Sequence, residues 1–312
     1  MNILVLGASG YIGSHLVPRL AAQGHRVRAA ARRIEVLEGR GWEGVEPVAA
    51  DALKPESLAA ALRGIDVAYY LVHSMGGGKG FARRDRLAAR NFREAAAAAG
   101  VQRIVYLGGP RPPGEASEHL ASRLATGDVL RKGPVPVTEL RASMIVGPGS
   151  AGFEVLRDLV NHLPVMITPR WVQSRTQPIA LDDLLAYLAG VLDHPETAGQ
   201  SYNVAGPETL RYRELLSQYA RVTGRPFRAI DVPVLTPRLS SYWLALVTSV
   251  PVSVARPLVD GLKTDLLMDD SAIRRVLPIT LHTYEEAVTS ALERERSEPL
   301  PARWAEGVLA FR

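Results

Sequence analysis

The 312-residue chain contains no cysteine. That excludes a disulfide scaffold, a cysteine nucleophile, iron–sulfur ligation and any zinc site built on thiolates. A reducing compartment is the natural expectation, and the start Met1-Asn2 runs straight into Ile3–Leu6 without a secretory signal, so a cytoplasmic location is expected. Aromatic residues make up only 6% of the chain, too few to build stacking platforms for bases. The net charge of +5 does not change this, because the cations are mostly arginines scattered among acids with no basic run longer than a pair. Nucleic acid is therefore not an expected partner. Histidines stand at 15, 25, 73, 119, 162, 194 and 282 without metal-type pairing and without H-E-x-x-H, so no metal is expected. A Gly-x-Ser-x-Gly elbow is also missing, which removes hydrolase chemistry of that kind. No apolar run reaches a comfortable membrane span; the uncharged stretch Leu239–Ala255 is short for one and is broken by Pro251. That stretch reads as helices on a core, with an apolar substrate wall or a peripheral membrane contact as alternatives.

What the chain does have is 47% hydrophobic residues, enough for a sizeable core. Up to about residue 150, short apolar runs alternate with helical segments. The expected strands are Ile3–Leu6, Val27–Ala31, Val45–Ala49, Val67–Leu71, Arg103–Leu107 and Val137–Leu140, with helices around 11–23, 55–63, 81–99 and 116–132. Continuous apolar strands separated by helices imply an α/β fold, a doubly wound Rossmann-type parallel sheet. Beyond that, helices around 152–162, 181–192, 209–222 and 283–293, with extended pieces at Gln200–Val204 and Pro226–Ile230, suggest a smaller, mostly helical lobe. The expected division is 1–150 for a dinucleotide-binding domain and 151–312 for a substrate or partner lobe interleaved with it.

Gly7-Ala8-Ser9-Gly10-Tyr11-Ile12-Gly13 follows the first strand and opens a helix. Its glycines suit a tight turn, close approach of backbone to a pyrophosphate and close helix–strand packing, with free N–H groups facing the anion. About 20 residues beyond such a loop an acid would hold ribose hydroxyls, whereas a cation would accept a 2′-phosphate. Here Arg32-Arg33 follows the second strand and no acid precedes Glu35, which favours NADP(H) over NAD(H). The plainer alternative is a pair of solvated surface arginines.

The G-x-x-G-x-x-G spacing resembles the extended and atypical short-chain dehydrogenase/reductases. The resemblance continues through Asp51-Ala52, Asn91, Arg103–Gly109, Leu140–Gly149, Gln177–Asp183 and Tyr202–Pro207, so it covers most of the chain. It lies nearest the NAD(P)H-binding group with NmrA-like proteins and bacterial relatives of a complex I assembly subunit. It implies that Asp51 contacts the adenine and that Leu71-Val72-His73 lines the ribose and pyrophosphate.

The chemistry usual in that superfamily needs a Ser or Thr after the fifth strand and a Tyr-x-x-x-Lys on the next helix. This chain has Gly108-Gly109 and His119-Leu-Ala-Ser-Arg123 instead. His119 and Arg123 share a helix face, so the layout survives with an imidazole as the proton-exchanging group. The ordinary alternative is a surface pair with Glu115, four residues earlier. His73-Ser74-Met75, at the carboxyl end of the fourth strand, is a second candidate, either touching the cofactor or satisfied by local backbone. Gly76–Gly80 lacks the Ser/Thr of a Walker loop and reads as a flexible crossover, and Asp182-Asp183 reads as a helix start. The expected function is an NADP(H)-dependent oxidoreductase for a small apolar carbonyl, enone or quinone-type substrate. A non-catalytic NADP(H)-binding sensor or assembly protein, which presents a surface to a protein partner, is the alternative; a nucleotide-sugar epimerase is disfavoured by the missing tyrosine.

Overall fold

Along β1 (Asn2–Leu6) the side chains alternate between two cores, Ile3 and Val5 entering one and Leu4 and Leu6 the other. Burial on both faces is why the run is apolar throughout, as parallel strands covered on two sides must be. The structure, a computed structural model, describes residues 1–73, 80–163, 165–168, 170–231 and 264–297. Within these, β1 is followed by β2 (Arg26–Ala31), β3 (Val45–Ala49), β4 (Val67–Tyr70), β5 (Arg103–Gly108) and β6 (Val137–Ala142). Shorter strands come next: β7 (Ile145–Val146), β8 (Val165–Thr168), β9 (Arg175–Thr176), β10 (Ile179–Ala180), β11 (Ser201–Val204), β12 (Leu210–Arg211) and β13 (Arg228–Asp231). The helices are α1 (Tyr11–Ala22), α2 (Ile34–Glu38), α3 (Pro55–Ala61), α4 (Phe81–Ala98), α5 (Glu118–Arg131), α6 (Ala151–His162), α7 (Leu181–Gly190), α8 (Tyr212–Thr223), α9 (Ser271–Val276) and α10 (Tyr284–Ser297).

The central sheet has seven strands in the order β11, β6, β5, β4, β1, β2, β3, all parallel. This is the doubly wound Rossmann-type arrangement expected. Strand order reverses between β1 and β4, so their carboxyl ends form the crevice where such sheets bind ligands. One face is covered by Leu16, Val17 and Leu20 of α1 with Leu181, Leu184, Leu185 and Leu188 of α7. The other is covered by Leu58 and Ala61 of α3, Ala88, Ala89, Phe92 and Ala96 of α4, and Leu130 of α5. Burying each Leu or Phe contributes about 1.5–3 kcal/mol relative to leaving it exposed. β4 ties the two layers: the Tyr69 hydroxyl donates to the Leu188 carbonyl at 2.6 Å, while the Tyr70 ring packs on Phe92 at 5.0 Å.

A third core gathers α6, α8 and α10, with Phe153 edge-on to Tyr219 at 5.8 Å. Asp182 and Asp183, at the start of α7, hold this region through Arg294 and His282: His282 donates its backbone N–H to Asp183 at 2.9 Å and sets Nδ1 2.6 Å from its carboxylate. They therefore do more than oppose the dipole of their own helix. Two boundaries differ from the sequence expectation for identifiable reasons. The piece at 201–204 is the seventh strand of the main sheet, because Tyr202 and Val204 pack into the same core as β1. The helix expected from 209 begins at Tyr212, since Leu210–Arg211 pairs antiparallel with β9. The stretches 239–255 and 74–79 lie outside the described residues. No described helix is long and apolar enough to cross a membrane.

Candidate active site

Gly7 leaves β1 with φ +94°, a conformation strained for any residue with a side chain. Its N–H and that of Ala8 both donate to the Ala30 carbonyl, at 2.9 and 3.1 Å, clasping the loop to β2. A Cβ on Gly7 would lie 2.9 Å from the carbonyl carbon and oxygen of Leu71, so the loop is pressed against the chain leaving β4. A Cβ on Gly13 would run into the Gly7 carbonyl and lie 2.7 Å from the Ala8 Cα, so that glycine closes the helix onto the loop. Gly10 is the exposed N-cap of α1 and carries no side-chain cap, with Ser9, Tyr11 and Ile12 half-buried around it. A turn that tolerates no side chain inside and opens a helix N-terminus outside fits a dinucleotide pyrophosphate.

The neighbouring strand ends complete this edge. Arg32 and Arg33 are exposed directly after β2, two and three residues beyond the carbonyl that holds Gly7 and Ala8. Arg33 is the N-cap of α2, a helix of five residues that sequence periodicity is too short to register. After β3, Asp51 Oδ1 accepts the Leu53 N–H at 3.0 Å while the Ser57 hydroxyl accepts the Asp51 N–H at 3.0 Å. Ala52 is buried and its carbonyl accepts from the Asn91 side-chain amide at 3.0 Å, so α4 fixes the loop at the end of β3. Leu71 and Val72 are half-buried at the end of β4.

Two residues past Leu71, the His73 ring meets His119. His73 Nε2 is 3.1 Å from His119 Nδ1 and 3.3 Å from its Nε2, with ring centroids 4.4 Å apart and planes inclined by 69°. On its other side, His73 Nδ1 lies 3.1 Å from Asp85 Oδ2 on α4. The same carboxylate oxygen accepts the Ser122 hydroxyl at 3.0 Å. Asp85 is 4% exposed and Ser122 2%, whereas the two histidines are half-buried. Burial pushes His73 below the ordinary imidazole value against the upward pull of Asp85. His119 is pushed down to about 3, first by burial and then by His73 and Arg123. Both rings are therefore neutral at neutral pH. Among the described residues, no group of three or more is arranged to hold a metal ion.

Arg123, one turn beyond His119, donates from its guanidinium to the Leu107 carbonyl at 2.8 Å at the end of β5. Its Nε is buried without a hydrogen-bond partner among the described residues. A buried donor left unmatched costs about 1–3 kcal/mol. Gly108 and Gly109 stand where a Ser or Thr would serve the usual chemistry, and both lie close under neighbouring side chains. A Cβ at 109 would lie 2.6 Å from Leu120 Cδ1 and 3.3 Å from Arg123 Nε, and one at 108 would lie 2.8 Å from Glu139 Oε1. These glycines let α5 sit close enough to β5 to bring His119 to His73. The Glu115 alternative does not hold, because Glu115 is exposed and precedes the helix, whose N-cap is Ser117.

Sequence reasoning named His119 together with Arg123, and His73 apart from them, without pairing the histidines, and missed Asp85 and Ser122. A signal existed. Asp85 heads the stripe Asp85, Ala88, Ala89, Phe92, Ala96 that α4 buries, and Ser122 lies on the buried face of α5 with Thr126 and Leu130. Arginines at 83, 84 and 86 disguise Asp85 as one member of a solvated charge run.

Residues 7–131 match a protein family described as NAD(P)H-binding. A (4-alkanoyl-5-oxo-2,5-dihydrofuran-3-yl)methyl phosphate reductase from Streptomyces griseus is 32% identical over 269 residues, spanning 83% of this chain and 85% of that protein. A ceramide reductase from Caulobacter vibrioides is 29% identical over 237 residues, spanning 74% and 73% respectively. Among solved structures, an NADPH-dependent quinone oxidoreductase from Escherichia coli, complexed with NADPH, shares the fold at a TM-score of 0.76. It is 20% identical and covers 94% of this chain and 100% of its own.

Proposed function

Since the chain belongs to the atypical short-chain dehydrogenase/reductases, an NAD(P)H-binding family of reductase type, we propose that it is an NADP(H)-dependent oxidoreductase. Its partner is a small, apolar substrate with a carbonyl, enone or quinone group. The observation that carries this reading is the contact of Gly7 with Leu71, two residues before His73. The glycine turn and the paired imidazoles share one edge of the sheet, at the crevice between β1 and β4, which supports the reading.

The residues divide the work along that edge. The first N–H groups of α1 around Gly10, Tyr11 and Ile12 face a pyrophosphate, and Ser9 lies beside it. Arg32 and Arg33 offer charge-assisted hydrogen bonds to a 2′-phosphate, and the E. coli neighbour is a protein that takes NADPH. Asp51 and Ala52 flank the adenine end, and Leu71, Val72 and His73 the ribose and pyrophosphate. A bound reduced nicotinamide supplies the hydride. His119 exchanges a proton with the substrate oxygen, the task that a tyrosine performs in the usual signature. Arg123, one turn beyond His119, offers a positive charge near where negative charge develops. The two relatives named above are reductases, which favours the reductive direction.

The direct test follows NADPH consumption with a panel of quinones, enones and aldehydes. Substrate-dependent oxidation of NADPH by at least one class is expected. Tight NADPH binding with no turnover across the panel would instead point to a binding protein that uses the nucleotide as a signal.

A further inference from the structure

His119 is the residue placed to meet the substrate, yet its surroundings oppose holding a proton. Among the described residues, the charged groups facing the pair are Arg123 on α5, which disfavours protonation, and Asp85 on α4, which favours it. Asp85 Oδ2 already accepts the Ser122 hydroxyl at 3.0 Å and lies 3.1 Å from His73 Nδ1. An ionised carboxylate only accepts, so His73 Nδ1 carries its hydrogen toward Asp85 and Nε2 presents a lone pair to His119. His73 Nε2 lies 3.1 and 3.3 Å from the two ring nitrogens of His119, close enough for a proton added to the pair to be carried on His119.

We propose that Asp85 and His73 are positioning residues that let His119 act as an acid. Asp85 is the counter-charge that allows the His73–His119 pair to take up one proton beyond its neutral state, and the pair releases that proton through His119. The proposal rests on the reading of the protein as an NAD(P)H-dependent reductase. In the step, a hydride from the dihydronicotinamide forms a C–H bond at the substrate carbon, and the C=O π pair moves onto oxygen. An O–H bond then forms as an N–H bond of His119 breaks, its electron pair staying on the ring. The pair returns to neutral and regains one proton from solvent, so each turnover consumes one NADPH and one proton.

The test combines NMR of 15N-histidine-labelled full-length protein with the pH profile of NADPH-dependent reduction, for wild type, Asp85→Asn and Asp85→Glu. In wild type, His73 and His119 should titrate together as one uptake. Asp85→Asn should move that uptake down by about one pH unit or more, and the reduction rate at pH 7 should fall about tenfold and recover on acidification. Asp85→Glu, which keeps the charge, should restore the wild-type midpoint. NADPH affinity should stay unchanged in both variants, which also shows that they fold. Independent titration of the two rings, or an unchanged midpoint in Asp85→Asn, overturns the proposal. A coupled titration that shifts as expected, in a protein that reduces nothing in the panel, overturns the reductase reading and leaves the coupling of the pair standing.

Discussion

The glycine loop and the histidine pair lie on the same edge of the same sheet and are built from opposite materials. The loop is backbone: Gly7 and Gly13 have no room for a Cβ, and Gly7 and Ala8 are held by the Ala30 carbonyl. The pair is side chains taken out of water, with two imidazoles, a carboxylate and a guanidinium delivered by β4, α4 and α5. Backbone dipoles keep their charge at any pH, so the loop can bind a phosphate regardless of protonation state. The pair responds to every proton and every nearby charge. On the proposed reading binding and chemistry are separable, so substitutions can address one without the other.

The largest expected effect lies on the chemical side. His119→Phe should lower turnover by about 100-fold or more, the usual scale for losing a general acid, with NADPH affinity nearly unchanged. Measuring both on the same folded variant keeps the comparison clean; unimpaired turnover would leave the proton to bound water. On the binding side, Gly7→Ala forces a residue with a Cβ to φ +94° and presses it onto Leu71. Strain of about 1–3 kcal/mol corresponds to a loss of up to about 100-fold in NADPH affinity, readable by fluorescence titration. Replacing Arg32 and Arg33 together by alanine should weaken NADPH about tenfold while changing NADH little, since a charge-assisted phosphate contact contributes about 1.5–3 kcal/mol. Equal losses for both nucleotides would remove the 2′-phosphate from the account.

The smallest effect concerns stability. His119 is held at about 3 in the folded protein against an ordinary 6.5, so between those pH values the unfolded chain binds more protons than the folded one. Stability should therefore fall as pH drops from 6.5 toward 3, with no contribution from this group above 6.5. Denaturant melts across that range should show a shallower slope in His119→Phe. An identical slope would mean that the ring is not held neutral by its surroundings.

The two regions also differ in how legible they were before the structure. Glycine positions, strand periodicity and Arg32-Arg33 are local features, and a backbone site leaves its mark on consecutive residues. The six principal strands appear within two residues of where the apolar runs end. The pair draws on residues 73, 85, 119, 122 and 123, and nothing along the chain says that α4 and α5 pack closely enough to join them. Small residues line that approach: the face of α4 beyond Asp85 is mostly alanine, while Gly109 lets Leu120 and Arg123 of α5 lie close to the end of β5. The absence of the usual Ser and Tyr-x-x-x-Lys was legible, but what replaced them was only half so, because Asp85 is hidden among arginines. Strand β11 reads as a fragment in the sequence for a related reason: four residues identify a strand but not its neighbour.

A crystal structure of the protein grown with NADPH tests the central claim most directly. The account predicts the pyrophosphate on the N–H groups at the start of α1 and the nicotinamide ring in van der Waals contact, within about 4.5 Å, of the His73–His119 pair. A nicotinamide ring turned away from both imidazoles, with the pyrophosphate still on the loop, would contradict it.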